Sequence, residues 1–456
     1  MVGKIELNIL HKTQFTFMKQ KYACITILLL FSYTLMCSQS FCQTPSDTSK
    51  FSWNVLFKPG TSISKQHSVI NKLNNSITSY YNNHKLGDHA NFQAFWCPCD
   101  SALYKLGFTP ISGSGGSVST APPPPPPTGS GDMASVLAIS YNISLGDKLK
   151  GINVLQQYGR DTVAIRNIGI DAKKILAIID SGIDSTLFSV KERNLIWTDP
   201  FKRTIYNFLP AGNLKDKFDE TIEKHGSAVT AIAIKAMDNA PHYPKLMILK
   251  ALNKNNQGSI FSVSCALSYA IQKNATIVNL SLGYYGKRDP ILQHYLQLCE
   301  RPNSPIELFV AAGNIPGNRG NLCNINNGRN LLPKGFGFFY PACFTSNFSN
   351  ITSVTQIRKE NSPCFYQNYS NQFISLGLYD TLNCCSMQVG FLGTLNTNFY
   401  EGSSFATPAA AGLRMSTILQ SDNVGAANIL WNNLILTDPT KKITIRGKYI
   451  KYASQR

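Results

Sequence analysis

The spacing of apolar residues along the chain changes character near position 150. Upstream, short apolar stretches alternate with polar and glycine-rich sequence. Ser52 to Phe57 reads as a strand ended by Lys58-Pro59-Gly60, and Val69, Ile70, Leu73 and Ile77 mark one face of a helix within 64–77. Phe92 to Trp96 predicts a second strand, Ser101 to Leu106 a short helix, and Met133 to Leu145 a further strand. Downstream, Lys174-Ile-Leu-Ala-Ile-Ile179 is an almost unbroken apolar run, the pattern of a parallel strand buried on both faces. Strands at 246–249, 276–280 and 307–310 follow, with helices at 259–271 and 290–299 between them. This alternation predicts an α/β fold: a doubly wound, mostly parallel sheet flanked by helices, preceded by a small α+β region. Ile443 to Tyr452 alternates like one last strand, and Ile315 to Asn350, rich in Asn and Gly, reads as loops.

Two segments fit neither regime. Lys19 to Lys21 precede an apolar run from Ala23 to Met36, and polar residues resume at Ser38. A basic stretch followed by a short apolar one predicts a signal peptide over 1–43, with Met18 as an alternative start. The run is shorter than the roughly 20 residues of a membrane span, so no stable span is expected after signal cleavage. Met36 and Phe41 are too large to precede a lipidated cysteine. The second segment, 112–131, is Gly/Ser-rich and holds Pro122 to Pro127. It cannot pack a core, and predicts an exposed loop, stiff where the prolines are extended. The expected organisation is therefore 1–43 signal, 44–148 α+β region interrupted by that loop, and 149–456 main domain. Export points to a secreted, periplasmic or cell-envelope location.

Composition narrows the classes. At 43% hydrophobic and 15% charged residues, the 456-residue chain is not disordered as a whole. A net charge of +18 favours anionic partners. The basic residues are scattered, however, and no nucleic-acid recognition motif accompanies them, so no nucleic-acid partner is expected. Nine of the twelve cysteines lie beyond the signal. An oxidising compartment would pair some of them in disulfides, an odd number leaves at least one unpaired, and the connectivity stays open. Cys97-Pro-Cys99 and Cys384-Cys385 lack the spacing of a zinc site, and no metal ligands are predicted.

Four local sequences carry possible chemistry. Asp180 ends the apolar strand in Ile178-Ile-Asp-Ser-Gly182, where a turn or cap role is the plain alternative. His225 opens an apolar helix in His225-Gly-Ser-Ala228, and an ordinary core histidine is the alternative there. Asn314 ends Val310-Ala-Ala-Gly-Asn314. Ser404 lies at the start of an Ala-rich helix in Gly402-Ser-Ser-Phe-Ala-Thr-Pro408, where free N–H groups favour an anion and a simple N-cap is the alternative.

Taken together, in the order Asp, His, Asn, Ser, these motifs closely resemble the subtilisin-like serine peptidases, the subtilase family, over about 170–425. Gly402 to Pro408 meets the family's nucleophile pattern in full. The family's usual His-Gly-Thr-His is His225-Gly-Ser-Ala228 here, so its second histidine is missing. The resemblance implies a subtilisin-like serine endopeptidase acting on protein or peptide substrates. Ser404 would be the nucleophile, His225 the general base, Asp180 its orienting acid and Asn314 an oxyanion donor. Gly258, Ser259, Ser281, Leu282 and Gly283 would border an extended substrate, and Ala311, Ala312 and Gly313 would wall a specificity pocket with room for a medium or large apolar side chain. It also implies that 44–148 is a propeptide that inhibits its own enzyme, or else a permanent accessory domain. No cofactor is required, and the structural calcium frequent in the family has no secure ligand set here. A catalytically silent scaffold of the same fold is the competing expectation.

Overall fold

The computed structural model describes residues 52–83, 90–110, 134–141, 144–145, 155–158, 169–201, 203–210, 212–300, 305–314, 329–331, 338–358, 362–364, 367–380, 386–391, 396–421, 423–440 and 443–452. The signal-peptide segment, the whole Pro-rich loop 112–131 and Cys384-Cys385 lie outside them. All described residues belong to one unit, Ser49–Arg456.

Four antiparallel strands come first: β1 (Ser52–Phe57), β2 (Ala90–Cys97), β3 (Asp100–Pro110) and β4 (Val136–Tyr141), in the order β2-β3-β1-β4. Helix α1 (Ile63–Asn83) covers one face, where Val69, Ile70 and Leu73 meet Val55, Phe57, Tyr104 and Leu106. The short helix expected at 101–106 is instead part of β3. Leu103 and Leu106 are spaced as on a helix face, but β3 pairs with β1 on one side and β2 on the other, and those two ladders override the local pattern. Leu103 therefore points away from α1, and with Leu56 and Cys97 it enters the core of the main domain.

The main sheet has nine strands. Along its principal path are β7 (Gly169–Asp180), β8 (His242–Lys250), β10 (Ile277–Leu280), β11 (Glu307–Ala311), β12 (Ile351–Arg358), β13 (Leu376–Asp380), β16 (Ile435–Thr437) and β17 (Lys448–Tyr452). Their order is β16-β17-β13-β12-β11-β10-β7-β8, and all neighbours are parallel except the β16–β17 pair. Both faces are buried, and β7 shows it directly. Ala177 and Ile179 join the core that contains helices α3 (Ile260–Gln272) and α4 (Pro290–Leu298). Leu176 and Ile178 join the core that contains α2 (His225–Ala236) and α5 (Ser403–Leu419). An unbroken apolar run is the only sequence that satisfies two cores at once. Beyond α5, helix α6 (Val424–Leu434) leads into β16 and the final strand, which completes the sheet beside β13.

Three short strands lie off this sheet and frame the site: β5 (Ser144–Leu145), β6 (Leu155–Tyr158) and β9 (Gly258–Ser259), with β14 (Ser386–Gly390) and β15 (Asn396–Glu401) forming a hairpin that β6 extends. Among the described residues no helix is long and apolar enough to cross a membrane, and no group of three or more His, Cys, Asp or Glu could hold a metal ion. Cys97, Cys99, Cys265, Cys299 and Cys343 are not joined in disulfides.

Candidate active site

The site lies at the carboxyl ends of the parallel strands. The order in which strands are added to the sheet reverses there: β8 is on one side of β7 and β10 on the other, which opens a crevice at the strand ends. Asp180 is the last residue of β7 and His225 the first of α2, and their side chains meet in the buried Asp180 Oδ1–His225 Nδ1 contact at 2.7 Å. Asp180 Oδ1 also accepts the Ser181 N–H at 2.7 Å. Gly226 permits this approach, because a Cβ there would strike the Gly182 carbonyl. Burial pushes the His225 ring towards the neutral form. The charge and hydrogen bond of Asp180, with the charges of Glu223 and Asp219, more than reverse this and raise its pKa above the ordinary histidine value.

Ser404 occupies the first turn of α5, half-buried between buried Ser403 and Phe405. It is not the N-cap. That place belongs to Gly402, whose φ of 133° is one that L side chains rarely adopt. The Phe405 ring lies 5.1 Å from the His225 ring, so the start of α5 faces the start of α2. Pro408 has no N–H to return to the Ser404 carbonyl four residues earlier, and the Ser281 hydroxyl donates to that carbonyl instead, at 2.7 Å. Asn279 Nδ2 donates to Ser281 Oγ at 3.0 Å. The segment 281–283 is thereby bound to the turn that carries Ser404.

Asn314 approaches the same turn from the other side. Its Oδ1 accepts from Ser403 N at 3.1 Å and Ser403 Oγ at 3.3 Å, while the Ser403 hydroxyl accepts the Gly313 N–H at 2.9 Å. The carboxamide is held by its oxygen, and its Nδ2 faces Gly402. Ala311, Ala312 and Gly313 are buried behind it. Phe339, which the sequence did not single out, lies against both Gly283 and Gly313: its ring would meet a Cβ added at either position. Gly258 and Ser259 form β9, where β5 pairs with them antiparallel, Ser144 opposite Ser259 and Leu145 opposite Gly258.

Residues 171–432 match the model of the subtilase family. This chain belongs to that family. It is 24% identical over 289 residues to the thermophilic serine proteinase of Bacillus sp. (strain AK1), a match covering 61% of this chain and 59% of that protein. It is 25% identical over 202 residues to subtilisin-like protease 3 of Plasmodium falciparum (isolate 3D7), covering 41% and 23%. The chain thus spans about three fifths of the first relative's length and about a quarter of the second's. In fold this subtilase is similar to the epidermin leader peptide processing serine protease of Staphylococcus aureus, with a TM-score of 0.54 at 13% identity, covering 88% of this chain and 98% of the other.

Proposed function

We propose that this subtilase is an exported serine endopeptidase. The buried Asp180–His225 pair, closed at 2.7 Å beside a half-exposed serine at a helix start, carries the reading. Asp180 keeps the proton of His225 on Nδ1, which leaves Nε2 free to take the Ser404 proton as the hydroxyl attacks the scissile carbonyl and to return it to the leaving amine. The Ser404 N–H and the Asn314 carboxamide would donate to the developing oxyanion. Glu223 and Asp219 add to the effect of Asp180 on the charged imidazole but would not replace Asp180, the only one of these acids that touches Nδ1 among the described residues.

The substrate would lie as an extended strand on Gly258–Ser259 and pass between 281–283 and 311–313. The Phe339 ring fills space against Gly283 and Gly313, so the side chain next to the attacked carbonyl is proposed to be small, in place of the medium or large apolar residue expected from the pocket walls alone. Phe339→Ala should shift preference towards Leu and Phe by about tenfold or more. An unchanged preference would remove Phe339 from specificity.

Residues 44–148 are proposed to be a propeptide. The support is β5, which occupies the edge of β9 where a substrate strand would pair. The cut is proposed to fall within 146–154, between β5 and the start of β6. Export would precede this step, and disulfides among the other cysteines beyond the signal would suit that compartment. Intact masses of the native protein and its Ser404→Ala form, each treated with a serine-directed fluorophosphonate, test the reading. The native protein should gain one probe mass and lose the N-terminal region, and the variant should do neither. No labelling of the native protein, even after an added protease has removed that region, would sink the peptidase assignment.

A further inference from the structure

Helix α2 starts without a conventional cap. Its N-cap residue, Lys224, has left-handed backbone angles and offers no side-chain cap. The first-turn N–H groups are nevertheless paired, each with a different residue. His225 N–H donates to Thr221 Oγ1, Gly226 N–H to Ser181 Oγ and Ser227 N–H to Asp219 Oδ2, all at 2.9 Å. One of these acceptors, Ser181, belongs to the strand end that carries Asp180.

Asp219 is common to all three. Its Oδ1 accepts the Thr221 hydroxyl at 2.6 Å, the Thr221 N–H at 3.1 Å and the Ser181 hydroxyl at 3.0 Å, and its Oδ2 accepts the Ser227 hydroxyl at 2.8 Å. A hydroxyl has a single proton, so donating it to Asp219 turns its lone pairs towards a backbone N–H. Ser181 shows the competition: its hydroxyl is 3.2 Å from Asp180 Oδ1 but 3.0 Å from Asp219. By drawing that proton, Asp219 leaves Asp180 Oδ1 for the His225 ring. The carboxylate is completely buried, so these charge-assisted bonds form where water does not compete.

We propose that Asp219 is a positioning residue: it fastens the helix start bearing His225 to the strand end bearing Asp180, and so keeps the two side chains in line for proton transfer. Nothing in the spacing of the motifs marks it. It lies six residues before His225, in a segment where Asp216 and Glu220 serve the buried Lys250. The proposal rests on the peptidase reading for its turnover readout alone.

Asp219→Asn tests it in the full chain, because an amide places a donor where Ser227 already presents two. The expected result is a 10- to 100-fold lower kcat with KM nearly unchanged, the order expected for a misplaced catalytic group. The acid limb of the kcat/KM profile should also move to lower pH. The groups facing His225 set that sign. Asp180, Glu223 and Asp219 all favour the charged ring, α5 presents the uncharged Phe405, and Lys224 is turned to the Asp219 carbonyl and the Asp184 carboxylate. NMR titration of the His225 ring in the Ser404→Ala background reports the same fall without turnover, so it decides even if the parent proves inactive as a peptidase. A folded Asp219→Asn protein with parental kcat and ring titration overturns the proposal. So does a lower melting temperature with both readouts unchanged, which would assign Asp219 to stability alone. Should Asp219→Asn fail to fold, Thr221→Val removes one link and keeps the charge. It should lower kcat several-fold without moving the ring titration, and parental kcat there also overturns the proposal.

Discussion

The four-stranded N-terminal sheet and the nine-stranded main sheet bury themselves in different ways. The main sheet has helices on both faces and two cores of its own. The N-terminal sheet has one helix and a core cluster of only Val55, Phe57, Val69, Ile70, Leu73, Tyr104 and Leu106. Its other face is completed by the main domain, where Leu56, Leu103 and Cys97 pack into the core containing α3 and α4. Polar contacts run along the same seam: Tyr295 OH donates to Asp100 Oδ2 at 2.5 Å, Gln272 Nε2 to the Cys99 carbonyl at 2.6 Å, and the Cys99 thiol to the Cys265 carbonyl at 3.1 Å. A region with so small a core of its own depends on its neighbour for stability, whereas the main sheet, with two cores of its own, does not depend on it in the same way. That asymmetry suits the proposed removal of the N-terminal region.

The comparison can be broken first at the site. Asp180→Asn should reduce kcat by about 10⁴-fold and move the acid limb of the pH profile downwards, while leaving the N-terminal region docked. Steady-state kinetics with size-exclusion of the uncut Ser404→Ala form would check both halves. In the unaltered enzyme the acid limb should lie above the ordinary histidine value. His225 acts as a base only when neutral, and activity is lost as pH falls through its raised pKa. The same shift means that the pair's contribution to stability is present below the unfolded histidine pKa and fades as pH rises through the folded one.

Asn314→Ala should cost about 10²–10³ in kcat with substrate affinity little affected, again without disturbing the seam. Leu103→Ala acts on the other side of the comparison. It should weaken the docked N-terminal region by about 3 kcal/mol, seen as earlier loss of that region in denaturant, with kcat of the processed enzyme unchanged. An equal loss in the processed enzyme would show that the two sheets are not separable.

The smallest effect is chemical. Burial raises the pKa of the Cys97 thiol and lifts that of Cys265 to about 11, and Cys99, raised chiefly by its hydrogen bond to Cys97, is half-buried. Alkylation of these three with iodoacetamide at pH 8 should therefore be slow in the full chain and reach Cys99 before Cys97 and Cys265. Cys265 should become markedly faster to label once the N-terminal region has gone. Equal labelling before and after processing would argue that the seam does not cover it.

Much of this was legible in the chain. The apolar run at 175–179 is unbroken because β7 serves two cores, and the small residues around Ser404 allow α5 to start close to Asn314 and Ser281. Strand and helix identity failed at 101–106, where an i, i+3 pair of leucines imitated a helix until two neighbouring strands claimed it. The candidate residues were found from their order and local context, not from any distance between them.

The sequence by itself determined the alternation of buried strands and helices, because burial on two faces leaves its mark on adjacent residues, and it offered Asp180, His225, Asn314 and Ser404 as candidates through their resemblance to the subtilase motifs. Only the tertiary structure decided which distant groups meet. Asp219 is one acid among several in a polar segment until Ser181, Thr221 and Ser227 converge on it. Phe339 is one aromatic in a segment that reads as loop until it pairs as a strand with Tyr285 and its ring reaches Gly283 and Gly313. β5 is two residues of unremarkable sequence until it lies on β9. Each depends on contacts between residues far apart in the chain, and such contacts leave no periodic trace along it.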